Sequence, residues 1–165
     1  FPCLPIIAED LGVITPDVRE LRDRFGLPGM KIVQFCFGWG IGRNGDAPHN
    51  HVRNAVAYTG THDNNTTCGW FAHELSEDDR RRLFAYAGRS FGEREAAWEL
   101  IRMVWGSCAA FALCPMQDLL GLDHHARMNT PSRPSGNWEW RLSWDQATDE
   151  LSARLRGLTE LYGRC

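Results

Sequence analysis

No apolar run in this chain approaches the roughly 20 residues that cross a bilayer, so no membrane-spanning helix is expected. Positive charge is not in excess either. The net charge is −3 at pH 7 and there is no basic tract, whereas a nucleic acid or an anionic lipid surface calls for the opposite balance. Zinc spacing is also missing. Cys3, Cys36, Cys68, Cys108, Cys114 and Cys165 form no Cys-x-x-Cys pair and no Cys/His cluster, so no metal and no other cofactor is expected. Four of these cysteines lie in or beside apolar runs, where a thiol behaves as a small hydrophobe. Reduced thiols and a cytoplasmic setting follow as expectations. Phe1-Pro2-Cys3-Leu4-Pro5 lacks the features of a signal peptide. With no initial Met and a strand expected almost at once, the residues read as a piece of a longer protein.

What is present suits one domain with a real core: 165 residues, 43% hydrophobic and 24% charged. Seven tryptophans are many for this length, and exposed aromatic faces can stack on sugars or bases. The densest polar chemistry is Tyr58-Thr59-Gly60-Thr61-His62-Asp63-Asn64-Asn65-Thr66-Thr67, behind the apolar run Ala55-Val56-Ala57. A carboxylate beside an imidazole at a strand end is where parallel α/β folds gather their sites. Such a segment also makes an ordinary turn, since Asn and Asp tolerate turn backbones.

The pattern predicts strands over Cys3–Ala8, Met30–Phe37, Ala55–Thr59 and Ser107–Cys114. Thr15 and Pro16 open a helix with Val18, Leu21 and Phe25 on one face, and Gly26 and Pro28 close it. Ser76 caps a helix with Glu77, Asp78 and Asp79 in its first turn. Glu93–Trp105 presents Ala97, Leu100, Ile101 and Val104 to a core, and a last helix covers about 148–162, with Leu151, Leu155, Leu158 and Tyr162 inward. Strands alternating with helices predict parallel βα units. Their C-terminal ends would bring Glu9, Asp63 and Asp118 to one face.

These residues carry a resemblance. Ile7-Ala8-Glu9-Asp10-Leu11-Gly12 with Thr15-Pro16, then Gly26-Leu27-Pro28-Gly29-Met30-Lys31, is similar to the 4-α-glucanotransferases (amylomaltase, or disproportionating enzyme). Tyr58 to Asn64, Gln117-Asp118-Leu119-Leu120-Gly121, Ala126-Arg127-Met128-Asn129 and Gly136 to Leu142 extend it in order over nearly the whole chain.

The resemblance implies an α/β fold, the C-terminal half of a (β/α)8 TIM barrel of the α-amylase type, spanning 1–165. It implies transfer of α-1,4-glucan segments to the 4-hydroxyl of an acceptor sugar, with maltooligosaccharides as partners. Such a retaining mechanism uses two carboxylates roughly 5–5.5 Å apart, one nucleophile and one acid/base. By motif match Glu9 corresponds to the acid/base and Asp63 to a third acid that holds sugar hydroxyls and steadies the transition state. His62, Asp10 and Asn129 correspond to substrate-binding neighbours. The family's nucleophile lies on the strand before the one bearing Glu9, so the N-terminal half of the barrel is expected outside these residues. Transfer by the 165 residues alone is then not expected.

Plainer readings stand beside these. Glu9 and Asp10 could open a solvated loop, and His62 could be a turn residue. His49, His51, His124 and His125 read as surface or loop residues more readily than as ligands. Trp138 and Trp140 alternate as in a strand, which suits core packing as well as sugar stacking. A non-catalytic glucan-binding module and an orphan half barrel remain the alternative functions.

Overall fold

Capping chemistry sets most of the helix ends in the computed structural model, which describes residues 5–164. Pro16 starts α1 (Pro16–Arg24) where its missing N–H costs nothing. The Thr66 hydroxyl accepts from Gly69 N–H at the head of α2 (Thr67–His73). Ser76 does the same for α3 (Glu77–Ala87), accepting from Asp79 N–H, and Gly88 closes that helix at φ 74°, a conformation only glycine adopts freely. α4 (Glu93–Trp105), the short α5 (Met116–Leu119) and α6 (Asp149–Leu161, capped by Thr148) complete the helical set.

β1 (Gly29–Ile32), β2 (Ala55–Tyr58) and β3 (Phe111–Leu113) form one sheet in the order β1-β2-β3, both pairs parallel. Parallel pairing follows from the helix or long loop between successive strands. β2 is buried along Ala55, Val56 and Ala57, as a central parallel strand should be. Against the sheet lies the apolar face of α4, where Ala96, Ala97, Leu100, Ile101 and Val104 are wholly buried. Truncating Leu100 or Ile101 would cost about 2–5 kcal/mol through the cavity left behind. Phe37, Phe71, Phe84, Tyr86 and Phe91 extend this core as an aromatic cluster. α6 docks on α4 through Leu155, Leu158 and Tyr162, and Trp105 Nε1 donates to Thr159 Oγ1 at 3.1 Å.

Three strands differ from the sequence pattern. Cys3 and Leu4 lie outside the described residues, but 5–8 form no strand. Ala8 N–H makes one sheet-like bond to Pro28 O at 2.9 Å. The next rung of a parallel ladder would run from Met30 N–H to Ala8 O; it goes to Asp10 Oδ1 instead, at 2.6 Å. Ile32 N–H, the following donor on that edge, bonds Asp46 Oδ1 at 3.0 Å. Two aspartates thus occupy the open edge of β1 in place of a neighbouring strand, one way to blunt an edge. The second strand ends at Ile32 because Val33–Phe35 tightens into a 3₁₀ turn, with Gln34 N–H reaching Thr59 O. The last strand is only three residues long. Before it, Ala110 N–H is taken by Arg53 O, and the Arg164 guanidinium binds the carbonyls of Trp105 and Ala109.

The apolar face foreseen on α1 forms but stays open: Val18, Leu21 and Phe25 are 43%, 58% and 60% exposed. Phe111 and Leu113 on β3 are exposed as well. No helix among the described residues is long and apolar enough to cross a membrane.

Candidate active site

β2 leads directly into the polar segment, and the end of that strand is tied from below. Thr59 is fully buried, and its hydroxyl donates to Asp118 Oδ2 at 2.6 Å. Thr67 donates to the same carboxylate twice, N–H to Oδ1 and hydroxyl to Oδ2, both at 2.7 Å. One buried carboxylate therefore joins the end of β2 to the start of α2 and brackets residues 60–66. Burial holds the Asp118 carboxyl above the ordinary carboxylate range, while the donors of Thr59 and Thr67 pull the other way. Asp118 does not reach the shared face foreseen for it. It sits beneath that face as a support, because α5 turns its side chain into the protein.

Gln34 is the second support. Its amide nitrogen donates to Asn65 O and to Thr67 Oγ1. Within the bracketed segment the Asn64 side chain closes the turn, accepting from Thr61 N–H and Thr61 hydroxyl, each at 2.9 Å. This is the local bonding that makes Asn a turn residue. His62 and Asp63 are thereby presented at the surface, each about half exposed, with His62 Nε2 3.4 Å from Asp63 Oδ1.

The loop after α5 completes the arrangement. Asn129 Nδ2 donates to Asp63 Oδ1 at 2.6 Å, and Asn129 N–H bonds His62 O. Arg127 donates to Asp63 O at 2.7 Å and to Asn129 O at 2.8 Å. Asp63 is thus held from its side chain and its backbone by one remote segment. Trp138 closes the rim. Its ring lies 5.1 Å from that of His62, and its backbone adopts φ 63°, a left-handed conformation costly for a bulky residue. Bonds from Trp138 N–H to Met128 O and from Arg141 to Trp138 O hold it there. The alternation of Trp138 and Trp140 is therefore not that of a core strand; Trp138 is 52% exposed at the cleft.

Glu9 and Asp63 line one cleft of about 540 Å³, together with His62, Tyr58, Arg127 and Trp138. Met30, Leu113 and Met128 supply apolar wall. A cleft with two carboxylates, an imidazole and an exposed indole can hold a polar ring by its hydroxyls and its face. Asp10 points elsewhere. Its oxygens accept from Arg22 and from Met30 N–H, so it anchors the segment that carries Glu9. Asn129 is not itself in the cleft lining and reaches it through its bonds to Asp63 and to His62 O. Burial pushes the Cys68 and Cys114 thiols up to about 11 and about 12, which suits inert packing groups and not nucleophiles.

Sequence reasoning passed over Gln34 and Arg127. A lone amide in the apolar run Met30–Phe37 was the available signal for the first. For the second it was an arginine two positions before Asn129.

A family model described as 4-alpha-glucanotransferase matches residues 2–147. A 4-alpha-glucanotransferase of Synechocystis sp. is 52% identical over 162 residues, covering 98% of this chain and 32% of the relative. One from Thermus thermophilus is 48% identical over 169 residues, covering 99% and 34%. The structure superposes on amylomaltase from Streptococcus agalactiae in complex with acarbose with a TM-score of 0.90 at 36% identity, covering 97% of this chain and 32% of that one. The chain spans about a third of the length of the curated relatives it matches.

Proposed function

The chain belongs to the 4-alpha-glucanotransferase family, and we propose that it carries the acid/base and a transition-state-stabilising carboxylate of such an enzyme. The reaction is transfer of an α-1,4-glucan segment to the 4-hydroxyl of an acceptor sugar with retention at the anomeric carbon. Glu9 protonates the oxygen of the leaving sugar and later takes the proton of the incoming hydroxyl. Asp63 holds the hydroxyls of the sugar being transferred and opposes the positive charge that develops on its ring. His62 binds the same sugar, Asn129 steadies Asp63, and Asp10 positions Glu9. The nucleophile comes from a carboxylate outside residues 1–165, since retention needs a covalent glycosyl intermediate.

One observation carries this reading: Glu9 and Asp63, from segments far apart in sequence, line one cleft in which Asn129 holds the Asp63 carboxylate and the His62 ring stands 3.4 Å from it. The acarbose complex of the Streptococcus agalactiae relative supports an α-glucan as the ligand. The parallel sheet and the open apolar faces of α1 and β3 fit the C-terminal half of a (β/α)8 barrel, with the N-terminal half packing on those faces. Free Cys36, Cys68, Cys108 and Cys114 suit a cytoplasmic enzyme.

The test compares the 165-residue chain with the full-length protein, each incubated with maltotriose. Longer and shorter maltooligosaccharides should form with the full-length protein and not with the chain alone. Products from the chain alone would overturn the outside nucleophile. Full-length protein that binds maltooligosaccharides without redistributing them would support a glucan-binding module instead.

A further inference from the structure

Outside the cleft, the turn His124–Ala126 gathers three donors of different kinds. One ligand atom each from Asp123, His124 and His125 lie within 4.8 Å of one another, all on exposed side chains. Nothing in the local sequence suggested more than loop residues, because the remaining partner comes from another element. α2 passes so close to this turn that a Cβ on Gly69 would lie 2.8 Å from His124 Cβ. One turn further along α2 stands His73, its ring edge-on to that of His124 at 4.7 Å between centroids. The His124 and His125 rings are 4.0 Å apart. Among the described residues no ring nitrogen of His73, His124 or His125 has a hydrogen-bond partner, while Asp123 uses Oδ1 to accept from His125 N–H.

We propose that Asp123, His124 and His125, with His73 as the fourth ligand, bind a divalent first-row transition ion of the zinc type. Three imidazoles and a carboxylate are a borderline donor set that favours Zn²⁺ over Mg²⁺ or Ca²⁺. A tetrahedral zinc site holds its ligand atoms about 3.3 Å apart, from bonds of roughly 2.0–2.1 Å. His73 stands outside the group of three whose ligand atoms lie within 4.8 Å, so ion binding requires its exposed side chain to rotate toward them, with smaller adjustments of the other three. The ion would pin the turn to α2. That matters for the cleft, because Arg127 and Asn129 follow this turn directly and hold Asp63. The bound ion thus acts as a brace on the loop, remote from the reacting atoms. The inference depends on the fold and not on the proposed reaction.

The experiment titrates Zn²⁺ into the full-length protein after chelator treatment, by calorimetry and by thermal unfolding. One equivalent should bind and raise the melting temperature, since an ion bound only by the native state stabilises it. The double variant His124→Ala/His125→Ala should lose both effects. Its loss should exceed the roughly 10–100-fold that removal of an outer-shell partner costs a metal site. His73→Ala should weaken binding and reduce the thermal shift. No saturable binding, or equal binding by the double variant, overturns the site. Unchanged affinity in His73→Ala overturns the link to α2. Neither readout uses glucan transfer, so failure here is separable from failure of the proposed reaction.

Discussion

Asn129 and Asp63, 66 residues apart in the chain, are joined by a bond of 2.6 Å from Nδ2 to Oδ1. The contact fixes the rotamer of the one carboxylate the cleft presents on β2's loop, and Arg127 holds the same residue's backbone. Preorganisation of this kind is what an electrostatic stabiliser needs, because a group that must reorient during reaction contributes less.

Asn129→Ala should therefore slow transfer without unfolding the protein. A hydrogen bond to a charged group contributes about 1.5–3 kcal/mol, which is roughly 10–100-fold in rate at 1.4 kcal/mol per tenfold. The measurement is kcat/KM on maltotriose in the full-length protein, beside its melting temperature. Unchanged transfer would remove Asn129 from the site.

Asp118→Leu tests the support beneath the cleft. The substitution leaves two buried hydroxyls and one N–H without an acceptor, at about 1–3 kcal/mol each. A loss of at least about 3 kcal/mol is expected in urea unfolding. Asp118→Asn keeps one acceptor oxygen and should lose less. Stability of Asp118→Leu equal to that of the parent would show that the carboxylate is not what joins Thr59 to Thr67.

Helix ends were readable because their signals are local. Pro16, Ser76 with its three acids, and Thr148 each act within one turn, whereas Thr15 holds the N-cap position of α1 without the side-chain bond expected of it. The parallel order was readable from the alternation of elements, and the polar segment from its being contiguous. The supports were not. Asp118 looks like a site acid until α5 turns it inward, and Arg127 acquires its role only from a contact 64 residues away. Asp10 and Asp46 replace a strand at the edge of β1, and no periodicity announces a side chain standing in for a backbone rung. His73 and His124 meet for the same reason, through packing alone.

His51 should make the fold acid-sensitive. Its ring is buried, which lowers its pKa below the ordinary 6.5, and nearby Lys31 adds to this while the Asp46 carbonyl opposes it. Nε2 donates to Asp46 O at 3.0 Å, and Nδ1 has no partner, as suits a neutral ring. Above pH 6.5 neither folded nor unfolded chain binds this proton, so the stability is fully present. Below it the unfolded chain takes the proton first, and stability falls until the pH passes the folded pKa. The slope is at most about 1.4 kcal/mol per pH unit. Urea unfolding between pH 7.5 and 5.5 should show the decline, and His51→Gln should flatten it. Parallel profiles for the two proteins would assign the sensitivity elsewhere.

Glu9 and Asp63 are separable by the leaving group. Glu9→Gln keeps size and polarity but removes the transferable proton, so transfer between maltooligosaccharides should fall roughly 10²–10⁴-fold. A glycosyl fluoride needs little protonation to depart, so that variant should recover much of the loss in the first step, read as fluoride release. Asp63→Asn removes charge that acts on the ring in the transition state, whichever group leaves. Its deficit should therefore be as large with the fluoride as with the oligosaccharide. Both variants are measured in the full-length protein with both donors. If fluoride rescues Glu9→Gln no better than Asp63→Asn, Glu9 is not the acid/base, and the two carboxylates of the cleft must exchange or share their roles.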